Sequence, residues 1–189
     1  MSVYETILKR RTVRKFKQQK IDRSILEKLI DAARLAPSAM NLQPVKYVIV
    51  DDAEKAARVF ESVKWAGYIA PEGNPAPDER PVAFIVVLED TELRRNGFDL
   101  DIGAAVQNIL LVAAEQGIGT CWMGAIDRDA IRLTLAIPGR YTINTVIALG
   151  YAAECPIAED EHGCIEYYKD KQGVLHVPKR KLEDIILKI

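Results

Sequence analysis

The chain is 189 residues long, 49% hydrophobic and 28% charged, with a formal net charge of −1. This length and composition suit one globular domain over residues 1–189 with a sizeable core, and the near-zero charge argues against a general nucleic-acid binder, which carries a strong basic excess. Three cysteines without a CxxC pair, and two histidines (His162 and His176) away from any familiar ligand spacing, argue against a disulfide scaffold and a zinc site.

The opening MSVYETILKRR has no long apolar signal core, so a cytoplasmic protein is expected. Ser2-Val-Tyr-Glu5 is a capping-box pattern, and Tyr4, Ile7 and Leu8 recur at helical spacing, which predicts a short first helix. The run RRTVRKF at residues 10–16 reads as a basic loop. One reading of it is a solvated charge run. The other is an anion site, because arginine forks match phosphate oxygens and a threonine hydroxyl adds a hydrogen bond. Asp22 caps a second helix with Ile25, Leu26, Leu29, Ile30 and Ala33 on one face, stopped at Ala36-Pro37. The loop PSAMNLQP at residues 37–44 is small, polar and framed by prolines, either a plain connection or the rim of a ligand site.

A strand is predicted over Val45–Val50, and a third helix from Asp52 with Ala56, Val59, Phe60 and Val63 inward. Residues 65–81 are rich in Pro, Gly and charge and lack periodicity, so they read as a surface loop or a lid. The β-branched run at residues 82–88 predicts a central strand covered on both faces.

The stretch DIGAAVQNILLVAAEQGIGTCWMGAID, residues 101–127, is the spine of the chain. It carries no formal charge from Ile102 to Ala114, which predicts a core helix buried on every side, capped by Asp99 or Asp101 and suited to sharing with a second copy. It is too short, and too polar at Gln107, Asn108 and Glu115, to cross a membrane, so no membrane partner is expected. Gly117 and Gly119 stop it, and GTCWMG leaves as a short extended segment whose small ends admit a close approach to the backbone. Asp127 caps another helix through Ile131 and Leu135, and residues 143–149 form a further buried strand closed by Gly150. Residues 167–177 read as a hairpin, and a last helix points Leu182, Ile185 and Ile186 inward. Few, unevenly spaced strands among helices favour a mixed sheet wrapped by helices. No Rossmann fingerprint is present: Trp122 stands where the third glycine after Gly117-Ile-Gly119 belongs, and that pair follows a helix.

Four stretches, in order through nearly the whole chain, resemble the nitroreductase family of FMN enzymes: RRTVRKF, PSAMNLQP, residues 101–127, and the strand ending at Tyr151 followed by the VPKR that closes at Arg180. The resemblance implies an α+β fold with a mixed, mainly antiparallel sheet, in an intertwined homodimer with FMN at the subunit interface. It implies that Arg10, Thr12, Lys179 and Arg180 hold the FMN phosphate, with Arg11 joining them or facing the ribityl chain. Arg14 would lie at the flavin N1–O2 edge. Pro37, Ser38, Ala39 and Asn41 would come from the other subunit. Backbone groups of Trp122, Met123 and Gly124 would face the ring, with an N–H near Gly124 reaching N5.

The implied chemistry is a ping-pong transfer of hydride from NADH or NADPH through flavin N5 to a nitroaromatic, a quinone or another small conjugated acceptor, with no catalytic side chain and no metal. Thr12 stands where the family often has serine, which keeps the hydroxyl. Two rival readings go with it: a flavin-cleaving or dehalogenating member of the same family, and a non-catalytic flavin- or anion-binding module.

Overall fold

The computed structural model describes residues 2–187. Strands β3 (Ala83–Asp90) and β5 (Tyr141–Ala152) pair antiparallel in the middle of a five-stranded sheet. Strand β2 (Val45–Val50) adds to β3, while β1 (Phe16–Lys17) and β4 (Ile118–Met123) add to β5, all antiparallel. A second sheet holds β6 (Ile157–Asp160), β8 (Leu175–Lys179) and β7 (Tyr168–Lys169), with β6 parallel to β8. Together with six α-helices among the described residues, this is a mixed, mainly antiparallel α+β fold.

Alternation along β3 sends its side chains into two cores, since successive residues of a strand face opposite sides. Ile85 and Val87 pack with Leu26, Leu29 and Ala33 of α2 (Arg23–Arg34) and with Ile102, Val106 and Ile109 of α4 (Asp99–Glu115). Phe84, Val86 and Leu88 pack with Val59 of α3 (Ala53–Glu61), Ile131 of α5 (Arg128–Leu135), and Val13 and Phe16. Each such buried Val, Leu, Ile or Phe side chain contributes about 1.5–3 kcal/mol. Helix α1 (Val3–Lys9) starts at the Ser2–Glu5 capping box, and Gly117 ends α4 with a positive φ of 72°.

Several expectations change. Phe16 is fully buried and draws Lys17 into a short strand where a loop was expected. Phe98, not Asp99 or Asp101, is the N-cap of α4, and both aspartates lie in its first turn. Nor is α4 buried on every side: Leu100 is 86% exposed, and Gly103, Ala104, Leu111 and Val112 are half-buried, because the described residues cover that face only in part. Val63 falls beyond α3 and is buried beside Ile126. Helix α6 (Leu182–Ile185) is a single turn, and Leu182, Ile185 and Ile186 are exposed rather than inward. Residues 65–81 contain two 3-10 turns, Gly67–Ile69 and Pro77–Glu79, and are tied down by Lys15–Glu79 at 2.7 Å and by Gln18 donating to the Arg80 carbonyl at 2.9 Å.

Candidate functional site

Residues 10–16 are not a solvated charge run. The Val13 N–H donates to the Thr120 carbonyl at 2.9 Å, and Thr12 bridges to Thr120, so the segment lies along β4. This close approach requires glycine beneath it. A Cβ on Gly119 would lie 2.8 Å from the Cβ of Val13, and one on Gly150 would lie 2.8 Å from the Cβ of Phe16. Glu154 Oε1 accepts from the backbone N–H groups of Arg14 at 2.6 Å and Lys15 at 3.2 Å, which fixes the far end. No local pattern marked Glu154 in the sequence; its partners lie some 140 residues away.

Lys15 of this segment pairs with Glu79, but its three arginines have no carboxylate on their side chains among the described residues. Arg11 folds back on the end of α1 and donates to the carbonyls of Leu8 at 2.7 Å, Ile7 at 3.4 Å, and Arg10. Its Nε is buried and has no partner among the described residues. Arg10 is half-buried, and burial, then the Arg11 charge, hold its pKa below the usual arginine value. Among the described residues, Arg10, Arg11 and Arg14 form no ion pair with any carboxylate. Arg10 and Arg11 line a cavity of about 210 Å³ with Lys9, Gly117, Thr120 and Glu154, whose carboxylate is engaged by the Arg14 and Lys15 N–H groups. Crowded like charges beside a cavity are relieved by a bound anion.

Strand β4 leads away from this cavity. Cys121 and Met123 point into the core, while Trp122 is 44% exposed. The Met123 carbonyl accepts from the Thr145 hydroxyl. Beyond it, Gly124 is open: a Cβ there would meet nothing within 4 Å. Of the two small ends of this segment, Gly119 is thus occupied by Val13, and Gly124 has room for a ligand. Burial pushes the Cys121 thiol up to about 11, so it stays protonated and unreactive.

The other expected residues lie elsewhere in the chain. The loop before β2 makes a 3-10 turn at Ala39–Asn41, and Met40, Asn41 and Gln43 have φ of 55°, 55° and 51°. Ser38 Oγ accepts from the Gln43 N–H at 3.0 Å, and Asn41 Oδ1 accepts from Gln43 Nε2 at 3.2 Å. Asp101 pins the loop to the start of α4: one oxygen accepts from the Ala39 N–H at 3.1 Å, and the other pairs with Arg94 at 2.9 Å. Pro37 and Ser38 line a separate cavity of about 120 Å³ beside Asp101. This loop sits at the first turn of α4 and the Arg10 cavity at its last, so the 17-residue helix separates them by about 25 Å. Lys179 and Arg180, at the exposed end of β8, touch neither group among the described contacts. The structure therefore brings Arg10, Arg11, Thr12 and Arg14 against β4, and leaves residues 37–41 and 179–180 apart from them within one chain.

Among the described residues no group of three His, Cys, Asp or Glu side chains is placed to hold a metal, and no helix is long and apolar enough to cross a membrane.

The nitroreductase family profile matches residues 7–151. An Archaeoglobus fulgidus protein named "Putative NADH dehydrogenase/NAD(P)H nitroreductase" is 35% identical over 77% of this chain and 82% of its own length. A crystal structure under the same description, from Parabacteroides distasonis, superposes with a TM-score of 0.72 at 28% identity, over 85% of this chain and 93% of that one. An FMN-dependent nitroreductase from Clostridium difficile gives 0.65 at 27% identity, over 79% of this chain and 87% of that one. Matched by the profile over well over half its length, and by these relatives in sequence and fold, the chain belongs to the nitroreductase family.

Proposed function

We propose that this chain is an FMN-dependent oxidoreductase that takes hydride from NADH or NADPH and passes it to a small conjugated acceptor such as a nitroaromatic or a quinone. The observation that carries the reading is the set of unpaired cations at residues 10–14, docked along β4 and ending at the open Gly124. A phosphate dianion answers the crowding of Arg10 and Arg11, and a flat ring system answers the open glycine and the exposed Trp122. Bound FMN supplies the two-electron chemistry, and the names of the A. fulgidus and C. difficile relatives support both cofactor and reductant.

Each residue has its part. Arg10 and Thr12 would hold the phosphate; Lys179 and Arg180, which lie apart from them within one chain, would join only from a second copy. Arg11 spends its terminal N–H groups on α1, which leaves its buried Nε for the ligand. Arg14 would supply a cation to the flavin edge where negative charge collects on reduction. The backbone from Trp122 to Gly124 would line the ring and offer an N–H to it. No side chain serves as nucleophile or general base; binding and alignment over the ring supply the rate.

The site is completed by a second copy. Residues 37–41 lie about 25 Å from Arg10 along α4, so Pro37, Ser38, Ala39 and Asn41 reach the flavin only from a partner whose α4 runs the opposite way. The uncovered side of α4 supports this: with Val3, Leu35 and Leu111 it lines an apolar groove of about 360 Å³.

A visible absorption spectrum of the purified protein, followed by anaerobic NADH or NADPH in the same cuvette, tests the proposal. Flavin bands that bleach support cofactor and hydride acceptance together. Bands that persist point to a binding module, and no bands after added FMN overturn the reading. Intact FMN after many aerobic turnovers argues against the flavin-cleaving alternative.

A further inference from the structure

Arg14 is oriented by an aromatic ring. Its guanidinium lies over Tyr167, 4.8 Å from the ring centroid. Tyr167 is half-buried in the segment just before β7, far away in sequence. Its own ring packs on Tyr68 in the Gly67–Ile69 turn, with centroids 4.9 Å apart and planes tilted by 59°. The next strand is anchored nearby, since Lys169 Nζ donates to the Glu72 carbonyl at 3.2 Å. Glu154, the carboxylate that reaches this loop, accepts from the backbone N–H groups of Arg14 and Lys15. The Arg14 backbone is thus fixed by an anion, and its charged end rests on a π face.

The two kinds of partner have different consequences. A carboxylate orients a guanidinium but cancels its charge. A ring attracts it through the quadrupole and leaves the net charge intact. A fixed cation that keeps its field is the better stabiliser of negative charge that develops later, because no reorganisation is needed when it appears. The 65–81 segment and the C-terminal sheet thereby bear on the site, since Tyr68 and Tyr167 set the direction of one cation.

We propose that Tyr167, buttressed by Tyr68, is a positioning residue for Arg14, an aromatic clamp that orients the guanidinium with its charge unneutralised and so raises the reduction potential of the flavin bound beside it. The proposal rests on the flavin reading above. It assigns a role to two tyrosines outside the motifs that carry the family resemblance.

The test uses Tyr167→Leu, which keeps bulk and removes the π face, and Tyr167→Phe, which keeps the ring. Spectroelectrochemical titration of the flavin-loaded proteins reads the midpoint potential. The Leu variant is expected to favour the reduced flavin about tenfold less than the parent, a potential lower by about 30 mV for a two-electron couple. The Phe variant should return to the parent value, and the Leu change made in an Arg14→Gln background should add nothing further. NMR of the cofactor-free protein gives an independent readout, with Arg14 Nε–H and Cδ protons shifted upfield by the ring and relaxed in Tyr167→Leu. Parent protein that takes up flavin while Tyr167→Leu leaves the potential unchanged, or a loss of equal size without Arg14, overturns the clamp alone. Parent protein that takes up no flavin overturns the flavin reading and the clamp's role in it.

Discussion

Two glycines on one short strand segment separate structure from ligand binding. Gly119 is filled from above by Val13, whose Cγ1 would stand 2.8 Å from an added Cβ, while Gly124 meets nothing. Gly119→Ala must lift Val13 and strain its hydrogen bond to Thr120, so a loss of about 1–3 kcal/mol is expected in urea denaturation of the cofactor-free protein. Gly124→Ala should leave that stability within about 0.5 kcal/mol and instead weaken FMN uptake, read by flavin fluorescence quenching. The neighbouring arginines divide in a similar way. Arg10→Gln removes a crowded, unpaired cation and is expected to weaken FMN binding by about 10–100-fold, with a smaller dependence on salt. Arg11→Gln removes donors from the Ile7 and Leu8 carbonyls, so its main effect should be a loss of stability at α1. The family resemblance gave Arg10 to the phosphate and left Arg11 to join it or face the ribityl chain; the fold of Arg11 back onto α1 is encoded by no local pattern.

At the scale of elements, capping chemistry was the most readable signal. Ser2 accepts from the Glu5 N–H, Asp52 from that of Lys55, and Asp127 from that of Ala130, each at the start of a helix predicted from that residue. Strand β6 was not legible. Its four residues alternate weakly, and it exists because β8, some twenty residues on, offers it an edge. This small sheet is held by His176, whose Nδ1 lies 2.7 Å from Glu159 on β6 and whose Nε2 lies 3.2 Å from Asp170 in the β7–β8 turn. Tyr168 stacks on its ring and donates to Glu159. Glu159, then Asp170, raise the His176 pKa above 6.5. His176 and then Tyr168 lower that of Glu159. Burial pushes Asp170 up, but hydrogen bonds from the Val174 N–H, His176 and the Gln172 N–H outweigh it and leave its pKa lowered.

The histidine's contribution to stability is complete below pH 6.5 and is lost as pH rises through its raised folded value. The carboxylates contribute fully above their usual values and lose this as pH falls through their lowered ones. Amide protection in β7 and β8, taken relative to the intrinsic exchange rate at each pH, should therefore be greatest in mildly acid solution and fall through neutrality. His176→Gln should flatten that profile.

For the molecule as a whole, periodicity foretold which faces are apolar but not what covers them. Tyr4, Ile7 and Leu8 on α1, Leu111 on α4, and Ile185 and Ile186 near the C-terminus are predicted contact residues that the single chain leaves exposed or half-exposed. Two sheet faces buried by α2 and α4 on one side and α3 and α5 on the other follow from the sequence pattern, because each helix has its core at hand in the same chain. The uncovered stripe has no such partner, which is why its fate could not be read from one copy. Sedimentation at micromolar concentration is expected to give twice the chain mass with flavin bound, and a monomer that retains flavin would overturn the two-copy site.

The length of α4 has a genetic consequence. With Arg10 at one end and residues 37–41 at the other, each site of the proposed dimer would draw one motif from each chain. Two inactive variants, one altered at Arg10 and one in the 37–41 loop, should therefore rescue each other. In their mixed dimers both lesions fall into the same site, and the other site is wholly intact. Random reassociation of equal amounts should restore about a quarter of the parent's sites. Two alleles that are each silent alone would then support growth together wherever the activity is needed, while two lesions at the same end of the helix would not.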